Sequence, residues 1–118
     1  MNVQKISETY SISAQIAPEN VAEIAKMGFK SIICNRPDGE GMMQPSFDAI
    51  ANAASEAGIS AKHMPVAPGP AQLQDAQNLY VALIELEAPV FAYCGSGARA
   101  ANLWNMCEEN AASKKSAA

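Results

Sequence analysis

The stretch PVFAYCGSGAR, residues 89–99, combines a short apolar run, a glycine-containing turn and the first positions of a helix. The run over residues 89–93 is typical of a buried strand. The helix that follows carries one apolar face, formed by Ala100, Leu103, Trp104 and Cys107. A strand that passes through a tight loop into a helix is the building unit of α/β folds, so this segment predicts the fold class.

The same alternation extends over the rest of the chain. Strands are predicted at residues 10–13, 30–34 and 59–66, and helices at 17–28, 46–57 and 73–86. The third helix is predicted to bury the stripe Leu73, Ala76, Tyr80, Leu83 and Leu86. We therefore expect one α/β domain over residues 1–110, with a mostly parallel sheet of four to five strands and helices on both faces. A polar tail is expected at 111–118.

Length and charge exclude several classes of protein. A chain of 118 residues suits one domain, and its net charge of −4 argues against binding nucleic acid through a basic surface. No apolar run reaches membrane-spanning length, and the opening residues MNVQKISETYS lack the apolar stretch of a secretory signal. We therefore expect a cytoplasmic protein that binds neither nucleic acid nor membrane.

Cysteine and histidine usage point to free thiols rather than to metal binding. The three cysteines, Cys34, Cys94 and Cys107, have no metal-ligand spacing, and an odd number does not suit a disulfide framework. His63 is the single histidine and cannot form a zinc site alone. No metal and no cofactor are therefore expected.

The loop CGSGAR, residues 94–99, has the composition of an anion-binding cradle around a nucleophile. Glycines allow backbone N–H groups to point inward, and the helix N-terminus adds a partial positive charge. Arg99 contributes a planar fork for two anion oxygens, and Cys94 is expected to be a thiolate. The residues predicted to bind substrate through this loop are Gly95, Ser96, Gly97 and Ala98. The structural alternative is a glycine turn with a buried cysteine.

A second loop, residues 35–45, is expected at the same edge of the sheet, because the carboxyl ends of parallel strands lie together. It carries Arg36, and the chain has two arginines in all, Arg36 and Arg99. It also carries Asp38, the candidate general acid. Glu40 is the second candidate for the acid. The structural alternative for Asp38 is a turn residue in Pro-Asp-Gly. Cys34 ends a strand as Cys94 does, so either the two thiols pair or Cys34 is a small buried residue.

Four segments together resemble a bacterial family, the phosphatase-like domain of beta-lactamase hydrolase-like proteins, formerly a domain of unknown function. The segments are ISETYSISAQI (6–16), PENVAEIAKMGFKSIICNRPDGE (18–40), HMPV (63–66) and PVFAYCGSGARAANLW (89–104). This family resembles tyrosine and dual-specificity phosphatases in fold. The resemblance implies that Cys94 attacks phosphorus, that Arg99 and the loop amides hold the phosphoryl oxygens, and that a thiophosphate intermediate is hydrolysed.

The chain departs from these patterns in three ways. Family members usually carry arginine after the cysteine and hydroxyl residues beside the loop arginine, where this chain has Gly95, Ala98 and Ala100. One anion-binding charge and two hydroxyls are thus expected to be missing, and turnover to be slow. The stretch PVAPGP, residues 65–70, lacks the aspartate that dual-specificity phosphatases place after the third strand. Four residues separate Cys94 from Arg99, against five in that superfamily.

The short spacing keeps other functions open. A six-residue loop resembles that of rhodanese-type sulfurtransferases, in which the cysteine forms a persulfide. The first hypothesis is therefore a phosphatase acting on a phosphate-bearing substrate, and the second a sulfurtransferase using a small sulfur donor. The third is a weakly catalytic anion-binding or redox-sensing module. The substrate and the oligomeric state are not determined by the sequence.

Overall fold

The computed structural model describes residues 1–117, and the side chains of residues 1–110. The strands are β1 (Gln4–Ser7), β2 (Tyr10–Ser13), β3 (Ser31–Cys34), β4 (Ser60–His63) and β5 (Val90–Tyr93). The helices are α1 (Val21–Lys26), α2 (Phe47–Ala57), α3 (Leu73–Glu85) and α4 (Ala98–Ala117), and a short 3₁₀ turn (Pro18–Asn20) precedes α1. The predicted tail, 111–118, lies outside the residues with described side chains.

The five strands form one sheet in the order β1-β2-β5-β3-β4. The strands β2, β5, β3 and β4 are parallel, and β1 pairs antiparallel with β2 at the edge. The predicted mostly parallel sheet is therefore confirmed. Strand β5 lies at the centre, so its carboxyl end has a neighbouring strand on each side. That position is where ligands bind in open α/β sheets.

Two apolar cores cover the two faces of the sheet, as the sequence predicted. One core joins α1 and α2 to Phe91 and Tyr93 of β5. The other joins α3 and α4 to Val90 and Ala92, and it includes Cys94 just beyond the strand. This division follows from the strand itself, because successive side chains point to opposite faces. The alternation therefore places Cys94 on the α4 face.

The predicted stripe of α3 is wrong in two of its five positions. Leu73 and Tyr80 are exposed, at 53% and 44%, whereas Leu79 is fully buried. The buried face of α3 consists of Ala76, Leu79 and Ala82, with Leu83 and Leu86 packed beside it. The prediction placed Tyr80 on the buried face, where the structure has the neighbouring Leu79 together with two alanines. The buried face of α3 is thus rotated by about one residue from the predicted stripe, which exposes Tyr80 and buries Leu79.

The helix that leads out of the 35–45 loop is well defined at both ends. The Ser46 hydroxyl accepts a hydrogen bond from the Ala49 amide, and Gly58 ends the helix with a φ of 78°. Both residues act as predicted, since serine favours an N-cap and glycine the left-handed C-terminal position. Within residues 1–117, no helix is both long and apolar enough to cross a bilayer.

Candidate active site

Cys94 lies where the central strand β5 turns into the loop before α4. The residue has no exposed surface. Its amide donates to the carbonyl of Ser13 on β2 at 3.3 Å, and its sulfur accepts a hydrogen bond from the Gly97 amide at 3.0 Å. A backbone N–H that donates to a cysteine sulfur fixes the position of that sulfur. The sulfur is therefore held by the loop that the sequence predicted.

Gly97 takes a backbone conformation that other residues rarely adopt. Its φ is 95°, and a Cβ at this position would lie 3.5 Å from the Ser13 carbonyl. Glycine enters this region without steric cost. The turn directs the Gly97 amide toward Cys94 and starts α4 at the next residue.

Ser96 and Ala98 contact each other at the start of α4. The Ser96 hydroxyl accepts a hydrogen bond from the Ala98 amide at 3.3 Å. Ser96 therefore satisfies an N–H group at the start of α4. The amide observed at the sulfur is that of Gly97. Substrate binding by Ser96 and Ala98 stays a prediction.

Arg99, in the first turn of α4, is held by two different segments. It donates to the carbonyl of Val66, a residue just after β4, at 3.0 Å. It also donates two hydrogen bonds to the Glu40 carboxylate, at 2.8 and 2.5 Å. The hydrogen bond to Glu40 raises the pKa of Arg99, and the nearby Cys94 adds to this effect. The guanidinium is thus fully charged and lies within electrostatic range of the sulfur.

Arg36 reaches the same carboxylate from the loop after β3. Its Nε donates to Glu40 Oε1 at 2.9 Å, and its Nη1 donates to Gln15 Oε1 at 3.1 Å. A Cβ on Gly95 would lie 3.3 Å from Arg99 Nη2 and 3.4 Å from Arg36 Nε. Both guanidiniums therefore lie directly over the loop backbone, and the expected meeting of the two loops is confirmed.

Glu40 does not have the properties of a general acid in this structure. Hydrogen bonds from Arg99 and then Arg36 lower its pKa from 4.5 to about 2. A carboxyl group with such a pKa is ionised near neutral pH and has no proton to give. This arrangement therefore disfavours Glu40 as the general acid, a role that stays a prediction. The sequence contained no sign that one carboxylate would bridge both arginines.

Asp38 is bound to the start of α2. Its Oδ1 accepts a hydrogen bond from the Phe47 amide at 2.8 Å, at the start of α2. This contact holds the loop onto the helix N-terminus, where a negative charge is favourable. The structure shows the turn-and-cap arrangement for Asp38, and its role as a general acid stays a prediction.

Cys34 and Cys94 lie on opposite faces of the sheet. Cys34 pairs in register with Tyr93, so these two side chains share a face, and Cys94, one residue later, points to the other face. The Cys34 sulfur donates to the Arg36 carbonyl at 3.3 Å, and burial raises the pKa of this thiol. All three cysteines are free and buried. The structure therefore supports the buried-residue alternative for Cys34.

His63 contacts the start of the 35–45 loop and the first turn of α2. Its Nε2 lies 2.9 Å from the Arg36 carbonyl oxygen, and its ring stacks on Phe47 with centroids 4.7 Å apart. These contacts support the backbone at the base of the 35–45 loop. A cavity of about 470 Å³ lies between β4 and α3. Val66 lines it, but neither Cys94 nor Arg99 does.

Comparison with known proteins gives this site its context. Residues 2–111 match the profile of the phosphatase-like domain of beta-lactamase hydrolase-like proteins. The chain belongs to this family. The resemblance inferred from the motifs is thereby confirmed. Membership in this family supports a phosphatase-like function, which is a hydrolase activity.

Relatives of known sequence are longer than this chain. Beta-lactamase hydrolase-like proteins of Xylella fastidiosa and Agrobacterium fabrum are 35% and 34% identical over 108 residues, which is 92% of this chain. The same match covers 25% of each relative, so the chain spans about a quarter of their length.

Solved structures confirm the fold class. A Neisseria meningitidis protein, provisionally named a phosphatase, is 37% identical with a TM-score of 0.82, over 88% of this chain and 74% of its own. The enzyme Tk-PTP in its active form has a TM-score of 0.63 at 16% identity, over 91% of this chain and 80% of its own. At that identity the likeness shows the fold alone, which is that of tyrosine and dual-specificity phosphatases.

Proposed function

We propose that this domain is a cysteine-dependent phosphatase that hydrolyses phosphate monoesters through a thiophosphate intermediate on Cys94. The observation that carries the proposal is the convergence of a sulfur, a backbone N–H and two guanidiniums at the carboxyl end of β5. The Gly97 amide contacts the sulfur, and Arg36 and Arg99 together hold a carboxylate above the loop. A phosphoryl group has the charge and the oxygen geometry to replace that carboxylate.

The reaction has two displacement steps at phosphorus. In the first, the Cys94 sulfur forms a bond to phosphorus while the bond to the leaving oxygen breaks, and the leaving oxygen takes a proton from water. In the second, water attacks the thiophosphate and gives a proton to the hydroxide left by the first step, the phosphorus–sulfur bond breaks, and inorganic phosphate and the Cys94 thiolate are released. Positioning and charge stabilisation provide most of the catalysis in phosphoryl transfer, and Arg99 supplies both.

The contacts of Asp38 shape the expected substrate range. The Asp38 carboxylate is engaged by the Phe47 amide at the start of α2. The proposal therefore takes the leaving-group proton from water, and the leaving oxygen then depends on its own stability as an anion. Aryl phosphates, whose leaving groups are weak bases, are therefore expected to react faster than alkyl phosphates. This preference distinguishes the proposal from a phosphatase with an acid in place.

The test is hydrolysis of p-nitrophenyl phosphate by the wild type and two variants. Cys94→Ser is expected to abolish turnover, while Cys107→Ser, which changes a buried thiol on α4, should leave it measurable. Vanadate, a transition-state mimic, should inhibit the wild type. A wild type that hydrolyses no aryl phosphate, or a Cys94→Ser variant that keeps full activity, would overturn the proposal.

The sulfurtransferase alternative depends on one observation, the four residues between Cys94 and Arg99. It predicts a mass increase of one sulfur atom on Cys94 after treatment with thiosulfate, followed by thiocyanate formation with cyanide. An unmodified Cys94 in the mass spectrum, together with aryl phosphate hydrolysis, would exclude it.

A further inference from the structure

The chain contains its own anion at the predicted phosphate position. The Glu40 carboxylate accepts two hydrogen bonds from Arg99 and one from Arg36, with Oε1 shared between the two guanidiniums. The side chains of this cluster are mostly covered, with exposures of 14% for Arg99, 17% for Arg36 and 22% for Glu40. Such a two-pronged contact is the one that an arginine makes with a phosphoryl group.

The nucleophile beneath this cluster is closed off. Cys94 has no exposed surface, and the guanidiniums of Arg36 and Arg99 lie directly over Gly95, the next residue. A phosphoryl group that binds both guanidiniums would take the place of the Glu40 carboxylate. Binding at the arginines therefore requires that carboxylate to leave them.

The loop that carries Glu40 is held at its base and not at Glu40 alone. The Gln44 side chain donates to the Pro37 carbonyl at 2.9 Å and accepts from the Gly41 amide at 3.0 Å, and Asp38 accepts from the start of α2. These contacts do not involve either arginine. The Glu40 side chain can therefore swing away while the loop keeps its fold.

We propose that Glu40 is an internal competitor for the anion site, and that a substrate reaches Cys94 by displacing its carboxylate from Arg36 and Arg99. This inference builds on the proposed function and specifies its selectivity. Because a bound carboxylate carries a single negative charge, a tetrahedral dianion such as phosphate competes with it better than a monoanion does. Glu40 would thus select for dianionic phosphoryl groups.

The size of the effect follows from the fraction of molecules in which the arginines are unoccupied. When a site is open only part of the time, the apparent dissociation constant rises in inverse proportion to the open fraction. Three charge-assisted hydrogen bonds at a partly exposed position are expected to keep the closed form dominant by about tenfold. Removing the carboxylate should therefore tighten phosphate binding about tenfold.

The experiment measures binding of inorganic phosphate by calorimetry, which does not depend on turnover. Glu40→Gln should bind phosphate about tenfold more tightly than the wild type. Glu40→Asp keeps the charge but is one methylene shorter, so it cannot bridge both arginines and should bind with intermediate affinity. Glu56→Gln, the same change on the exposed side of α2, should bind as the wild type does. A thermal melt checks that each variant is folded.

Three results would overturn the inference. Equal or weaker binding by Glu40→Gln would mean that Glu40 positions the arginines. Wild-type affinity in Glu40→Asp, with tighter binding in Glu40→Gln, would assign the effect to net charge. Absence of binding in every variant would mean that no anion site is closed by Glu40. Failure of the proposed function is separate, because phosphate binding that tightens in Glu40→Gln without any ester hydrolysis would leave the inference intact.

Discussion

Replacing Arg99 by lysine tests whether the fork of its guanidinium, and not only its charge, holds the phosphoryl group. In the structure Arg99 makes two hydrogen bonds to the Glu40 carboxylate and a third to the Val66 carbonyl. Lysine keeps the positive charge but presents one compact ammonium in place of a planar pair of N–H groups. The variant should therefore lose about one charge-assisted hydrogen bond to the transition state, or about 2 kcal/mol.

That free energy corresponds to about a thirtyfold fall in kcat/KM for p-nitrophenyl phosphate, since about 1.4 kcal/mol equals a factor of ten. Arg36→Lys is the matched control, because Arg36 contacts Glu40 through a single N–H group. It should lower kcat/KM by less than about fivefold. Steady-state kinetics with the purified variants, each checked by a thermal melt, provide the measurement. Equal losses in the two variants, or an Arg99→Lys variant within a factor of about three of the wild type, would refute the reasoning.

Three further predictions concern the loops around the site. Asp38→Ala should destabilise the fold by about 1 kcal/mol in urea unfolding, through loss of the contact at the start of α2, and should lower kcat on an aryl phosphate less than about threefold; a fall of a hundredfold would make Asp38 the general acid. The pKa of Glu40 is lowered from 4.5 to about 2. Its contribution to the free energy of unfolding is therefore complete above about pH 4.5 and is lost as the pH falls toward 2. In urea unfolding, the wild type should lose more stability than Glu40→Gln between about pH 5 and pH 3. Gly97→Ala should cost about 1–3 kcal/mol of stability in backbone strain. It should also abolish most activity, because the Gly97 amide contacts the Cys94 sulfur. The control Gly58→Ala, at a φ of 78° with open space around it, should show the strain in a thermal melt without the loss of activity.

The fold was largely predictable because apolar runs and helix ends carry strong local signals. The runs before Asn35 and before Cys94 both form buried central strands, and Ser46 and Gly58 mark the ends of α2. Strand β1 (Gln4–Ser7) was not predicted, because it is an exposed edge strand with polar residues and lacks an apolar pattern. Its pairing with β2 depends on tertiary context rather than on its own residues.

The candidate site was predictable in its members but not in its electrostatics. Parallel strands bring their carboxyl ends together, so Arg36 and Arg99 could be placed near one another from loop positions alone. The bridging by Glu40 depends on the conformation of the 35–45 loop. That conformation is fixed by side-chain contacts such as Gln44 to Pro37, which leave no periodic pattern in a sequence. The same holds for Asp38, whose partner is a backbone amide nine residues away.

The position of Arg36 also changes the expectation of a missing charge after the cysteine. The family resemblance leads one to expect an arginine at position 95, where this chain has glycine. The absence of a side chain leaves room over the loop, and the Arg36 guanidinium occupies it, since a Cβ on Gly95 would lie 3.4 Å from Arg36 Nε. Gly41 packs against the other side of that guanidinium, where a Cβ would lie 2.6 Å from Nη2. Two glycines thus let an arginine from a different loop place positive charge over the 94–99 loop. The slow turnover expected from the missing charge and the two missing hydroxyls stays a prediction.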